Sequence, residues 1–248
     1  MTSGSETAQP TARRGAYRRL SVAERRAELI TAAIALFAHN PPEDVSLDDV
    51  AAAAGASRPL VYRYFPGGKQ ELYEAALRDS ADQLQECFVE PETGPLSERL
   101  SRTMDRYLAF VDGHAAGFSA LLQGGSVAET SRTNAIVDEV RRTAAGHILR
   151  HLGATEPGRP LRTMVRTWIT AAEAASLTWL DDGRQPPKEE LRDWLVHHFV
   201  GSFIATAVND PQTTELARSA LVSEERDGPV GILLRQALPL VYEAEHLL

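Results

Sequence analysis

Apolar residues recur at three- and four-residue intervals along nearly the whole chain, and no stretch alternates as a half-buried strand would. Leu29, Ala33 and Leu36 follow i, i+4, i+7, with Ile30, Ile34 and Phe37 alongside. Ser21 with Glu24 three residues on is a capping box. Together they predict a first helix from Ser21 to about Ala38. Ser46, followed by Asp48 and Asp49, caps a short Ala-rich helix over 47–54. Tyr73, Leu77, Leu84 and Phe88 mark one face of a long helix from Lys69 to about Val89. Further helices are expected over 96–112, 118–123, 128–152, 161–180, 188–208 and 211–222, with an amphipathic stretch over 232–248 broken by Pro239. Pro- and Gly-rich breaks separate them, among them 91–95, 113–117, Gly124-Gly125 and 181–187. The fold class is all-α.

Chemistry concentrates in LDDVAAAAGASRPLVYRYFPGGK, residues 47–69. Gly55 interrupts the first short helix, and glycine accepts the left-handed backbone that turns a chain sharply. Ser57 is placed to cap a second helix, with Pro59 in its first turn, where a missing N–H matters little. Leu60, Val61 and Tyr64 are spaced to hold this helix on a core, leaving Arg58, Tyr62 and Arg63 pointing outwards. Phe65-Pro66-Gly67-Gly68 ends it. Such a pair is a helix-turn-helix, whose second helix enters the DNA major groove. Ser57, Arg58, Pro59, Tyr62 and Arg63 are expected at base edges and groove wall. Ser46, Tyr64 and Lys69 are expected at the backbone, Lys69 adding an ammonium to the free N–H groups of a helix start.

Charge sharpens this picture. The net charge of −8 argues against a nucleic-acid partner, but its distribution does not. Residues 1–70 carry nine Lys and Arg against seven Asp and Glu, a net of +2, and the remainder carries −10. Residues 1–20 lack periodicity and read as a disordered arm in which Arg13, Arg14, Arg18 and Arg19 flank Tyr17, either a solubilising tail or a DNA-contacting arm. That stretch has no apolar segment of a secretory signal, and no run of 18 apolar residues suggests a membrane span. Cys87 is the only cysteine, which excludes an intramolecular disulfide and fits a reducing cytoplasm.

The residues Leu36–Phe37, Ser46, Val50–Ala51, Ala54–Gly55, Ser57, Val61–Tyr62, Tyr64–Phe65, Lys69 and Leu72 together resemble the DNA-binding domain of the TetR (tetracycline repressor) family of transcriptional regulators. The resemblance covers roughly residues 23–77. It departs at Asn40-Pro41-Pro42-Glu43-Asp44, where the family often has glycine and an aromatic. It implies a three-helix DNA-binding domain over 21–68 and a helical effector-binding and dimerisation domain over 69–248. It also implies a cavity whose ligand moves the helix that starts at Lys69.

Phe88, Met104, Tyr107, Leu108, Phe118, Leu122, Trp168 and Glu173 are the candidate cavity residues; for any one of them plain core packing competes. Phe110 and Leu121 belong to the same neighbourhood. Glu173 lies in an otherwise apolar or small-residue run, so it needs a partner such as Arg166 or a polar ligand group. For a two-fold interface the candidates are Ala172, Ala175, Trp179, Trp194, Leu195, Phe199 and Ser202, on two helices with small residues and large anchors. His147 and His151 stand one helical turn apart, a spacing used for metals, but no further ligand type joins them at recognisable spacing. No metal or cofactor is therefore assigned.

These readings converge on a cytoplasmic homodimer that binds a pseudo-palindromic double-stranded DNA operator, most simply as a repressor, and responds to a small-molecule effector. A non-sensing protein of the same fold is one alternative. A helical enzyme is another, but nucleophile elbow, phosphate loop, zinc signature and paired catalytic carboxylates are all missing from the sequence.

Overall fold

The computed structural model describes residues 21–122 and 130–245. The expectations for the N-terminal arm, for Gln123, Gly124-Gly125 and Ala128, and for the last three residues lie outside that range. Among the described residues the chain is all helix and turn: α1 (Val22–Phe37), a 3₁₀ turn (Pro42–Asp44), α2 (Leu47–Ala53), α3 (Arg58–Tyr64), α4 (Gly68–Glu86), α5 (Leu96–Gly113), α6 (Ala115–Leu122), α7 (Ser131–His151), α8 (Arg159–Asp181), α9 (Lys188–Asn209), α10 (Pro211–Val222) and α11 (Pro229–Glu245).

Local chemistry sets the N-terminal elements. The Ser21 side chain accepts from the Glu24 amide while Glu24 reaches back, and Ser46 and Asp49 repeat the arrangement at α2. Hydrogen bonds from the hydroxyl and amide of Ser46 hold the Asp49 carboxyl below its ordinary pKa. The cap is therefore intact above the ordinary carboxylate range and lost as pH falls through the lowered value. At the other end of α2, Gly55 has φ +59°, the Ala56 amide bonds the Ala51 carbonyl at 2.8 Å, and the Gly55 amide bonds that of Ala52 at 3.2 Å. This pair of bonds is a Schellman cap, and it turns the chain from α2 into α3.

Two separate cores follow. Leu29, Ala33, Val50, Val61, Phe65 and Leu72 anchor the first, which joins α1, α2 and α3 to the start of α4. Leu108, Val111, Leu161, Val165, Leu195 and Val196 centre the second, built from α5 and α7–α9. α4 packs on α1 at its beginning and on α7 further along, so one rigid rod spans both. The edge-to-face pair Phe37–Tyr73, ring centroids 5.1 Å apart, marks the junction.

Three expectations on the element map change. α6 begins at Ala115, so Gly117 lies inside a helix and not in a loosened segment. There an added Cβ would lie 3.1 Å from the Phe37 carbonyl, and the neighbouring Ala116 amide donates to the Ala38 carbonyl at 3.2 Å. The start of α6 is thus held against the end of α1. Pro239 does not break the last segment but sits inside α11, which begins earlier, at Pro229. Finally, Ala172, Trp179, Leu195 and Phe199 are buried within the subunit. The Trp168 indole N–H donates to the Leu195 carbonyl, and that of Trp179 to the Pro186 carbonyl. These faces join α8 to α9 and to the body, so the four residues are packed mainly within their own subunit and not displayed as an outer surface.

Candidate DNA-contacting helix and effector cavity

α3 has one pinned face and one free face. Val61 and Phe65 are fully buried, and Leu60 and Tyr64 are half-buried against the N-terminal core. The opposite face carries Ser57, Arg58, Pro59, Tyr62 and Arg63, all exposed. The Ser57 hydroxyl makes no capping bond, contrary to expectation. Arg58 pairs with Asp48 across the turn at 2.9 Å and lies 5.7 Å from the Tyr62 ring centre. More than half exposed on both sides, that pair is weakly held and can exchange for a phosphate. Arg63 has no acceptor among the described residues. The half-buried Lys69 donates from Nζ to the Glu43 carbonyl at 2.9 Å, which parks its ammonium beside the start of α4. Ser46 is exposed at the start of α2, its hydroxyl committed to Asp49.

Behind this head lies a cavity of about 200 Å³. Seven of the eight residues proposed for it line it: Phe88, Met104, Tyr107, Phe118, Leu122, Trp168 and Glu173. Leu108 does not; it is fully buried in the core behind the wall. One end of the cavity reaches Ile34 and Phe37 of α1, the capping residue Ala38 and Tyr73 of α4. The other is formed by the start of α5, the end of α7 and the segment after α4.

Polar groups on the wall are few. Glu173 is held not by Arg166, which is exposed two turns earlier along α8, but by Arg141 of α7 through three bonds of 2.8–3.1 Å. Glu173→Gln is expected to lower stability by about 1–2 kcal/mol in chemical denaturation, because half the charge-assisted fork is lost while Arg141 stays half-buried. The buried Tyr107 hydroxyl accepts from Ser176 at 3.4 Å, and burial pushes its pKa well up, so it stays protonated. His147 and His151 both line the cavity. Burial, then neighbouring arginines, lowers both imidazoles below their ordinary value. Among the described residues no third ligand type joins them.

Sequence reasoning missed Arg99, Glu90 and Ser80 on this wall. For Arg99 a signal existed. It occupies a place in the Leu96, Leu100, Thr103, Tyr107 stripe of α5, where an apolar residue belongs.

Residues 29–76 match the family described as bacterial regulatory proteins, tetR family, and residues 96–202 match the tetracyclin repressor-like C-terminal domain. A crystal structure of a tetR-family transcriptional regulator from Streptomyces coelicolor is 48% identical, with a TM-score of 0.85, over 90% of this chain and 100% of that one. The chain belongs to the TetR family. Among curated TetR-type relatives, EthR of Mycobacterium tuberculosis is 29% identical over 81% of this chain and 96% of its own length. The transcriptional activator FasR of Mycolicibacterium smegmatis is 28% identical over 45% of this chain, and the match spans only about half (51%) of its length. As a TetR protein, the chain is a helix-turn-helix transcriptional regulator. Its all-α plan, with a DNA-binding head and a separate C-terminal domain, is that of the family. Among the described residues no helix is long and apolar enough to cross a membrane.

Proposed function

We propose that the protein is a cytoplasmic homodimeric repressor that binds a pseudo-palindromic operator in double-stranded DNA and is released by a small molecule in the cavity. The observation that carries this reading is the two-faced α3. Its inner face is fixed by Val61 and Phe65, and its outer face presents Tyr62 and the unengaged Arg63. Residues 21–68 form the head and 69–248 the effector and dimer domain. Ser57, Arg58, Pro59, Tyr62 and Arg63 read base edges and groove wall. Ser46, Tyr64 and Lys69 set the register on phosphates. The role is one of binding, not catalysis.

The two-fold surface is the outer face of α8 and α9, where the half-buried Ala175 and Ser202 and the exposed Ala174, Trp194, Gly201 and Ala205 leave room for close helix approach. Trp194, 51% exposed and stacked on His198, is the large anchor on that face. The cavity supports effector control because α1 and α4 line its upper end, and α6 ties its wall to the end of α1. A ligand that tilts α4 by a small angle changes the spacing of the two recognition helices, and half-sites one helical turn apart tolerate little mismatch.

Selection of genomic fragments by the full-length protein in gel shifts, with sedimentation of the free protein, tests this reading. Enrichment of one two-fold-symmetric sequence by a dimer is expected. Binding that ignores sequence, or a monomer in solution at micromolar concentration, overturns it. Screening small molecules for release of the enriched fragment then tests the effector role.

A further inference from the structure

The lower end of the cavity holds a cation without a counter-charge. Arg99 is 9% exposed, and its Nε has no hydrogen-bond partner. One terminal nitrogen reaches only the His151 carbonyl, at a long 3.4 Å. Among the described residues no carboxylate lies within ion-pair distance of it. The Nδ1 of His151, on the same wall, is buried and also unpartnered. Among the described residues the one acid lining this end, Glu90, is already held by two other arginines, Arg102 at 2.7 Å and Arg106 at 2.8 Å, and the exposed Glu92, which acts on His151, makes no ion pair with Arg99. This pole therefore carries excess positive charge inside an apolar enclosure. A buried guanidinium left in this state is strongly unfavourable unless something anionic completes it.

The rest of the enclosure is apolar and elongated. Tyr73 to Leu84 on α4 alone span about 16 Å at 1.5 Å per residue, and Phe37 continues the wall beyond Tyr73. Among the described residues the only other charged pair on the wall, Arg141 with Glu173, satisfies itself.

We propose that the effector is an amphipathic acid, a long-chain carboxylic acid whose carboxylate pairs with Arg99 and whose tail runs up the cavity to Phe37 and Tyr73. The assignment rests on the cavity being the effector site. The carboxylate takes N–H groups of Arg99 that now have no acceptor, Nε among them, and a bidentate guanidinium–carboxylate pair needs no further donor from the wall. The tail replaces no polar contact, and its end reaches the α1–α4 junction that positions the DNA-binding head.

Titration of the full-length protein with octanoate, dodecanoate and palmitate, against the matching primary alcohols and palmitoyl-CoA, tests the assignment. Calorimetry and the emission of Trp168, which lines the cavity, report binding. The acid should bind at least about tenfold more tightly than its alcohol, the equivalent of one charge-assisted bond. Arg99→Met should erase that preference and leave the alcohol's affinity unchanged. Its unfolding temperature should stay level or rise, since an unpaired buried charge has been removed. Arg99→Lys should retain the preference. Equal affinity of acid and alcohol overturns the proposal and leaves the cavity as an effector site for neutral molecules. A preference that survives Arg99→Met, or binding of palmitoyl-CoA that is tighter than that of palmitate and indifferent to Arg99, overturns it too. No binding of any probe excludes this ligand class, and the operator-release screen then decides the cavity's role by itself.

Discussion

Arg63→Ala is expected to weaken binding to the selected operator by roughly 30-fold to 20,000-fold. A bidentate contact to guanine is worth about 1–3 kcal/mol of discrimination, and a two-fold dimer presents each side chain twice. The side chain is exposed and has no acceptor among the described residues, so its removal leaves the fold alone. Helix content and unfolding temperature should match the parent, which separates lost recognition from lost structure. Fluorescence anisotropy at fixed salt measures the affinity. The pattern over mutant operators is as informative as the size. A base contact relaxes discrimination at one position of each half-site, whereas a phosphate contact weakens all sequences equally and flattens the salt dependence by about one unit per contact. Arg58→Ala is the internal comparison. Arg58 must first leave Asp48, so part of its gain on DNA is offset and its loss should be smaller. If Arg63→Ala binds the operator as the parent does, α3 is not the reading element.

The contrast between the head and the cavity explains what could be read without coordinates. Head elements are specified by neighbours three to five residues apart. Ser46 caps with Asp49, Gly55 closes α2 on Ala51 and Ala52, and the alternation of Val61 and Phe65 with Tyr62 and Arg63 follows from helical period alone. The cavity is specified by packing over long separations. Arg99 meets His151, 52 residues away, and Glu173 meets Arg141, 32 residues away. A run of apolar residues announces that a helix is buried but not whether it faces a cavity or solid core. Leu108 was therefore expected on a wall it stands behind. The same ambiguity misdirected Trp179, Leu195 and Phe199, whose size suits an interface or a core equally. Here the body of their own subunit takes them. Arg99 shows the opposite case. A charged residue within an apolar stripe contradicts the period around it, and such contradictions tend to mark function.

Phe65→Ala should destabilise the head by about 3–5 kcal/mol, the range for removing a fully buried phenylalanine. The ring is 0% exposed, packs with the core of Leu29, Val50, Val61 and Leu72, and lies under the Arg26 guanidinium at 5.0 Å. It also ends α3, its amide bonding the Val61 carbonyl at 2.9 Å, so it sets where the recognition helix stops and which way it faces. A head of some fifty residues has only a few kcal/mol in reserve, so the loss is enough to unfold it near physiological temperature. Operator binding should vanish although Phe65 cannot reach DNA. The second core, centred on Leu108, Val165 and Leu195, shares no residue with the first and should survive. The three tryptophans, Trp168, Trp179 and Trp194, all lie in the C-terminal domain and report on it alone. Far-ultraviolet dichroism should therefore fall by the share of α1–α3 while tryptophan emission stays native. Ligand affinity should weaken only partly, since Phe37 and Tyr73 line just one end of the cavity. A single transition in which dichroism and tryptophan emission collapse together would mean that α4 fuses head and body into one cooperative unit. The division at residue 68 would then describe the chain's topology but not its folding.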